Sequence, residues 1–409
     1  MRRFLQPHTL VPIVIIAAVA AMVAAANIRD IRRNRQPYTA APPVGTPGAP
    51  TTSREDLERR VADMERRLQE HPEDSGAALL LADALLRQTR VAGNASLTGR
   101  AEQVLTRVLH DDPGSYDAHR ILATLYLSQH RFQEAIRVAE GSRNERPYDP
   151  VNYGAIGDAH VELGNYDEAF TAFDRMMALR PGAPSYARVA YARELQGNLS
   201  GAIEAMKLAA SATSPTDPEG LAWAHAQVGD LYLQLGKVRE AKAEYAAASQ
   251  AFPGHPFAVL GYANAIATEG DLTGALDLLR RLAETSPGPD LASRTGDLLR
   301  RLGRDDEAEK QYSLAEEGWR GAREPKNLAR FLADHDRRID EAVTIAEGAA
   351  SHRHDIFTDD ALAWAYFKAG RVADARVAIA RALRTGTRDA SIRGHTAAIN
   401  GAVTARAAR

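Results

Sequence analysis

The chain contains no cysteine in 409 residues, which removes disulfides, thiolate metal sites, c-type haem attachment and cysteine nucleophiles together. Aromatic residues are scarce at 6%, with three Trp, while hydrophobic residues reach 45%, so a core has to be built largely from Ala, Leu and Val. That composition favours helices, because Ala and Leu are strong helix formers and β-branched or aromatic residues do not dominate. The GxxxxGK[ST], GxSxG, HExxH and CxxC patterns are missing as well. Without them there is no phosphate-cradling loop, nucleophile elbow or zinc-binding helix to build on. The expectation is a protein that is not an enzyme and uses no cofactor or metal; catalysis would need dispersed residues that a repeat disguises. Surplus positive charge is lacking too. Residues 1–36 carry six Arg against Asp30, leaving 45 basic and 52 acidic residues beyond them, a net −7. A mildly acidic body is a poor counterion for nucleic acid, so no nucleic-acid partner is expected.

One long apolar run is present. Residues 9–28 are twenty consecutive uncharged positions, mostly Val, Ile and Ala. At about 1.5 Å per residue, a helix of that length spans a hydrocarbon core of roughly 30 Å. The competing reading is a cleaved signal peptide, since Arg2 and Arg3 form a basic start and Ala24-Ala25-Ala26 offers a small-residue cleavage site. The length of the run and the Arg29, Arg32, Arg33, Arg35 cluster after it favour a retained single-pass anchor. Residues 1–8 are then a short basic tail, and residues 29–53 a basic stub and a Pro/Gly/Ala-rich spacer that cannot bury enough apolar surface to fold. An N-terminal tail kept inside would put the body on the extracytoplasmic side of the cell membrane; the basic cluster after the anchor pulls the other way.

From residue 54 onward a pattern recurs. One small residue marks it: Ala101, Ala135, Ala169, Ala202, Ala241, Ala275, Ala308, Ala342 and Ala375, at spacings of 34, 34, 33, 39, 34, 33, 34 and 33. The long step contains Ser214-Pro215-Thr216-Asp217-Pro218, a loop insertion of the kind surfaces tolerate. Proline closes several units at the matching place, at Pro113, Pro147, Pro181, Pro253 and Pro287. Gly157, Gly229 and Gly296 recur where two helices of one unit should cross, with Ala123, Ala190, Ala263 and Ala363 in the equivalent positions of other units.

These features, clearest in residues 150–182 with Tyr153, Ile156, Gly157, His160, Ala169, Phe173 and Pro181, resemble the tetratricopeptide repeat family, in a membrane-anchored bacterial form. The resemblance implies an all-α, right-handed superhelical solenoid of about nine helix pairs over residues 77–390, capped by a helix in 54–76 and by residues 391–409. The first unit departs by seven extra residues around Val91 to Thr98, and the unit at 323–355 lacks the glycine and the closing proline.

The resemblance further implies a concave groove lined by the first helix of each unit and filled by a protein or peptide partner. Its positions in this chain are Arg120, Thr124, Val151, Asp158, Tyr191, Trp223, Asp230, Phe257, Asn264, Asp297, Arg300, Arg301, Phe357 and Trp364. Trp223, Phe257, Phe357 and Trp364 would act as apolar anchors, the groups that dominate binding energy, or else pack between repeats. Asp158, Asp230 and Asp297 would make the groove suit a basic ligand, or else be solvated. Only Asn264 fits the Lys and Asn pattern with which chaperone-binding relatives clamp a C-terminal carboxylate, so that partner is not expected. His352-Arg353-His354-Asp355 reads as a solvated turn, and His119, His160 and His225 as packing residues. The function expected is a membrane-tethered scaffold for protein interaction in envelope assembly or complex organisation. Self-association into a structural assembly through the terminal helices is the alternative.

Overall fold

The computed structural model describes residues 53–92, 96–322 and 324–407, with side chains as far as 402. The apolar run at 9–28 and the spacer preceding Ser53 lie outside the described residues. Among the described residues no helix is long and apolar enough to cross a membrane.

Twenty helices make up the described chain. Helix α1 (Arg54–Glu70) stands alone. Nine pairs follow: α2 (Ser75–Ala92) with α3 (Ser96–Asp111), α4 (Tyr116–Ser128) with α5 (Phe132–Glu145), α6 (Pro150–Leu163) with α7 (Tyr166–Leu179), and α8 (Ala183–Leu195) with α9 (Leu199–Ala212). Next are α10 (Pro218–Gln234) with α11 (Val238–Ala251), α12 (Pro256–Thr268) with α13 (Leu272–Thr285), and α14 (Pro289–Arg301) with α15 (Asp305–Gly321). The last pairs are α16 (Pro325–Asp334) with α17 (Ile339–Ala350) and α18 (Ile356–Lys368) with α19 (Val372–Ala382); α20 (Ala390–Ala407) closes the chain. The even-numbered helices from α2 to α18 are the first, or A, helices of their units.

Proline punctuates both ends of the pattern. Helices α6, α8, α10, α12, α14 and α16 each carry Pro in their first turn, where the missing N–H would have had no helical partner. Pro113, Pro147, Pro181, Pro253 and Pro287 each fall two residues past the end of a second, or B, helix. Inside the units, all nine alanines of the 34-residue ladder are fully buried. Side chains this small let paired helices approach closely. The glycines do the same at three crossings: a Cβ on Gly157, Gly229 or Gly296 would stand 2.3, 2.5 or 2.6 Å from the ring of Phe173, Tyr245 or Tyr312.

The array curls until distant units touch. Ser286 Oγ donates to Val91 O at 2.9 Å, and Arg54 Nη2 reaches the same carbonyl at 2.7 Å. The Tyr166 hydroxyl accepts from Ile356 N at 2.9 Å, across 190 residues, which is between five and six periods of 34. Gly164, with φ +82°, lies against the turn after α17 so closely that a Cβ would sit 2.4 Å from His354 O. One buried cluster accordingly joins Val161, Tyr166 and Phe173 to Ile356 and Leu362, and another joins Leu57 and Val91 to Ala222, Tyr245 and Ala258. Helix α1 is thus packed against the middle of the array as well as its own end.

Two expectations change here. The extra residues around Val91 to Thr98 are not all between the helices: α2 runs on to Ala92 and α3 starts at Ser96, and Val91, 1% exposed, offers its carbonyl to Ser286. The turn at 352–355 is not simply solvated. His352 and His354 are exposed, but Arg353 and Asp355 are buried, with side chains 9% and 3% exposed. Arg353 bonds Glu324 at 3.0 Å, Asp355 at 3.4 Å and Glu162 at 3.8 Å, while Lys326 lies 3.3 Å from Glu162 and 3.5 Å from Asp355. His130 contributes a further contact to Glu324 at 2.8 Å. This charged knot ties α4 and α6 to α16 and α18.

At the far end, α20 is fastened by His395, whose Nδ1 lies 2.9 Å from Asp360 and whose Nε2 lies 3.6 Å from Asp334. Burial pulls the imidazole pKa down, but the two carboxylates outweigh that and raise it to about 9. Because this is above the unfolded value of 6.5, the contribution to stability is complete below about pH 6.5 and is lost as pH rises through about 9. Melts of the native protein are expected to weaken over that interval by at most about 1.4 kcal/mol per pH unit, and His395→Gln to flatten the profile. Equal pH dependence in both proteins would show that His395 does not act this way.

Candidate functional site

The A helices place the expected groove residues at equivalent positions of successive units, but their surroundings differ. Phe257 is 42% exposed and Val151 36%. Thr124, Arg300 and Arg301 are exposed, and Arg120, Tyr191 and Asn264 are half-buried. Arg120 pairs with Asp117 one turn earlier at 3.3 Å. Trp223 is half-buried against the cluster of Leu199, Met206 and Val228, and Phe357 packs on the cluster around Ile356. Trp364, read as either an apolar anchor or a packing residue, is covered by the terminal helix: its ring stacks on His395 at 4.1 Å with an 11° interplanar angle, and Phe367 lies at 5.2 Å. Of the four aromatic anchors, Phe257 alone is freely exposed.

Each of the three aspartates has partners within the protein. Asp158 is held bidentately by Arg188 of the next A helix, at 2.9 and 2.6 Å. Tyr245 donates its hydroxyl to Asp230 at 2.6 Å, and Tyr312 donates to Asp297 at 2.9 Å. In both units the acceptor directly follows the packing glycine, and the tyrosine packed on that glycine is the donor. Burial pushes the Asp230 carboxyl up to about 6 despite the tyrosine hydrogen bond. Asp297 also receives His335 Nε2 at 3.0 Å. Asp158 is thus paired with a cation, whereas the tyrosine hydroxyls on Asp230 and Asp297 are neutral donors, and the Asp297 side chain stays 52% exposed.

Asp297, Arg300 and Arg301 do come together. With Arg294 of the same helix they line a cleft of about 690 Å³ between α14 and α16, with Arg330 and Trp319 on its other walls. Arg300 lies 4.6 Å from the centre of the Tyr312 ring, and Arg301 Nη2 donates to Ala267 O at 3.1 Å. Sequence reasoning missed Arg294, Trp319, Arg330 and His335. Trp319 belongs to a B helix and His335 to the residue after α16, so neither falls on the groove register. A second cleft, of about 720 Å³, opens where distant units meet, beside Phe132, Leu163, Ile345 and Arg353.

The histidines expected as packing residues are only half-buried: His225 Nδ1 meets Glu244 at 2.8 Å and His160 Nδ1 meets Asn165 at 3.3 Å, while His119 is also half-buried. Among the described residues no group of three or more His, Asp or Glu could hold a metal ion.

Paired helices on a 34-residue ladder make the described residues an all-helical array. Models described as "Tetratricopeptide repeat" match residues 97–156, 155–218 and 229–290, so the chain carries tetratricopeptide repeats over these stretches. Solved structures share the fold. The crystal structure of the APC/C hetero-tetramer Cut9-Hcn1 is similar with a TM-score of 0.51 at 15% identity, over 85% of this chain and 60% of that one. The human IFIT1 dimer with m7Gppp-AAAA gives a TM-score of 0.53 at 15% identity, over 81% of this chain and 77% of that one. A search of the curated proteins finds no match.

Proposed function

We propose that the protein is a scaffold that holds a segment of another protein on the face formed by its A helices. Residues 9–28 tether it to the cell membrane with the solenoid on the extracytoplasmic side, in envelope assembly or the organisation of a complex. The observation that carries this reading is the cleft between α14 and α16, which three of the expected groove residues line, Asp297, Arg300 and Arg301. Exposed Phe257 on the same series of A helices supplies a hot-spot aromatic. The presence of tetratricopeptide repeats supports binding of protein over catalysis.

The test is crosslinked affinity capture from separate cytoplasmic and extracytoplasmic extracts, with the full-length protein beside a Phe257→Ala, Trp319→Ala variant of unchanged helicity. A partner recovered from one extract and lost with the variant supports the reading and identifies the compartment. Equal recovery by both proteins overturns it, and capture of the chain by itself would favour self-assembly through its ends.

A further inference from the structure

The cleft between α14 and α16 has an uneven charge balance. Each of its three carboxylates already has a cation or donor of the protein. Asp290 is bonded to Arg294 at 2.8 Å, Asp334 lies 3.5 Å from Arg330, and Asp297 accepts from Tyr312 and His335. Four arginines face three aspartates, one positive charge in surplus with His335 neutral, and Arg300 and Arg301 are the two arginines left outside an ion pair. One is held over a tyrosine ring and the other by a main-chain carbonyl, both are exposed, and among the described residues neither has a carboxylate within ion-pair distance. A guanidinium offers five N–H donors in a planar fork. Most of those donors at this pair are therefore open to a ligand, and their positions are fixed in advance by Tyr312 and Ala267.

We infer that this cleft takes an acidic segment of the partner protein, with Asp or Glu carboxylates bound by Arg300 and Arg301 and a neighbouring apolar side chain laid against Trp319. The inference rests on the proposed binding of protein by the A-helix face and names the chemistry of the segment. Bidentate pairing is the contact in which Arg exceeds Lys, and it suits a carboxylate. A nucleic-acid strand fits less well. Its regularly spaced phosphates need a run of cations along the groove, on a body whose net charge after residue 36 is −7.

The experiment uses the full-length protein and labelled synthetic peptides, followed by fluorescence anisotropy: a Glu-rich peptide containing one Trp, its Gln counterpart and its Lys counterpart, with a single-stranded RNA oligonucleotide as competitor. The Glu peptide is expected to bind in a salt-sensitive way and to lose about tenfold in affinity in an Arg300→Gln, Arg301→Gln variant. Arg239→Gln, Arg281→Gln, the same change of two charges at exposed positions outside the cleft, is expected to leave binding unchanged. Helicity should be the same in all three proteins.

Equal binding of the Glu and Gln peptides, or equal affinity in the double variant and the native protein, overturns the inference. So does RNA that binds more tightly than the Glu peptide and is lost in the same variant. If the peptides fail while a captured partner still depends on Phe257 and Trp319, the acidic-segment inference alone is wrong; if both fail, so is the proposed function.

Discussion

Tyr245→Ala is expected to lower the unfolding free energy by about 3–5 kcal/mol, the usual loss when a large buried aromatic is truncated. The ring is fully buried and lies between two glycines of successive A helices, Gly229 and Gly261, whose added Cβ atoms would stand 2.5 and 2.2 Å from it. Backbone on both sides has closed around one side chain, so little can move in to fill the space. Tyr245→Phe keeps the ring and removes only the hydroxyl that donates to Asp230, and should cost about 1–2 kcal/mol. Urea unfolding followed by circular dichroism separates the two. A loss below about 1 kcal/mol for Tyr245→Ala would mean that the site collapses readily and the crossing does not depend on this ring.

The second large effect is expected where distant units meet. Arg353→Ala leaves Glu324 and Asp355 buried, at 7% and 3% side-chain exposure, with Lys326 as the main remaining cation. Removing one member of a buried charged group typically costs about 3–5 kcal/mol because the other charges stay desolvated. Here the loss should come with an opening of the array, seen as a larger radius of gyration in small-angle scattering, since the same group joins α6 to α16 and α18. The native contact also sets an acid limit. Burial raises the Glu324 pKa, but His130, Lys326 and Arg353 outweigh it and hold the carboxyl at about 2. Its folded value is below the unfolded one, so its contribution is present above about pH 4.5 and is lost as pH falls through about 2. An Arg353→Ala protein with unchanged melting and unchanged radius would show that the units are held together by their apolar contacts alone.

Much of the architecture was readable because a repeat states its packing many times over. Each alanine from Ala101 to Ala375 is one instance of the same helix crossing, and the prolines at 113, 147, 181, 253 and 287 mark the same exit from it. The contacts between distant units were not readable. They depend on how many units complete a turn, which follows from small rotations summed over the array and leaves no periodic mark at any one residue. Arg353 therefore looked like part of a solvated turn, and Val91 like part of an insertion.

The register of the proposed binding face was legible in the sequence; the partners of its charged residues were not. Asp230 and Asp297 follow glycines on A helices, and that register was visible; the matching donors, Tyr245 and Tyr312, sit on the following helix fifteen residues later, at a position that reads as simple core packing. Trp364 likewise occupies an A-helix position, and only the return of α20 brings His395 over it.

Site-specific photocrosslinking tests the central claim most directly. A photoreactive side chain is placed in turn at Thr124, Phe257 and Arg301 on A helices, and at Leu208, Leu314 and Val377, which are 52, 55 and 62% exposed on B helices. The account predicts an adduct with one partner protein from the A-helix positions and none from the others. Adducts confined to the B-helix positions, or formed only with a second copy of the chain, would contradict it.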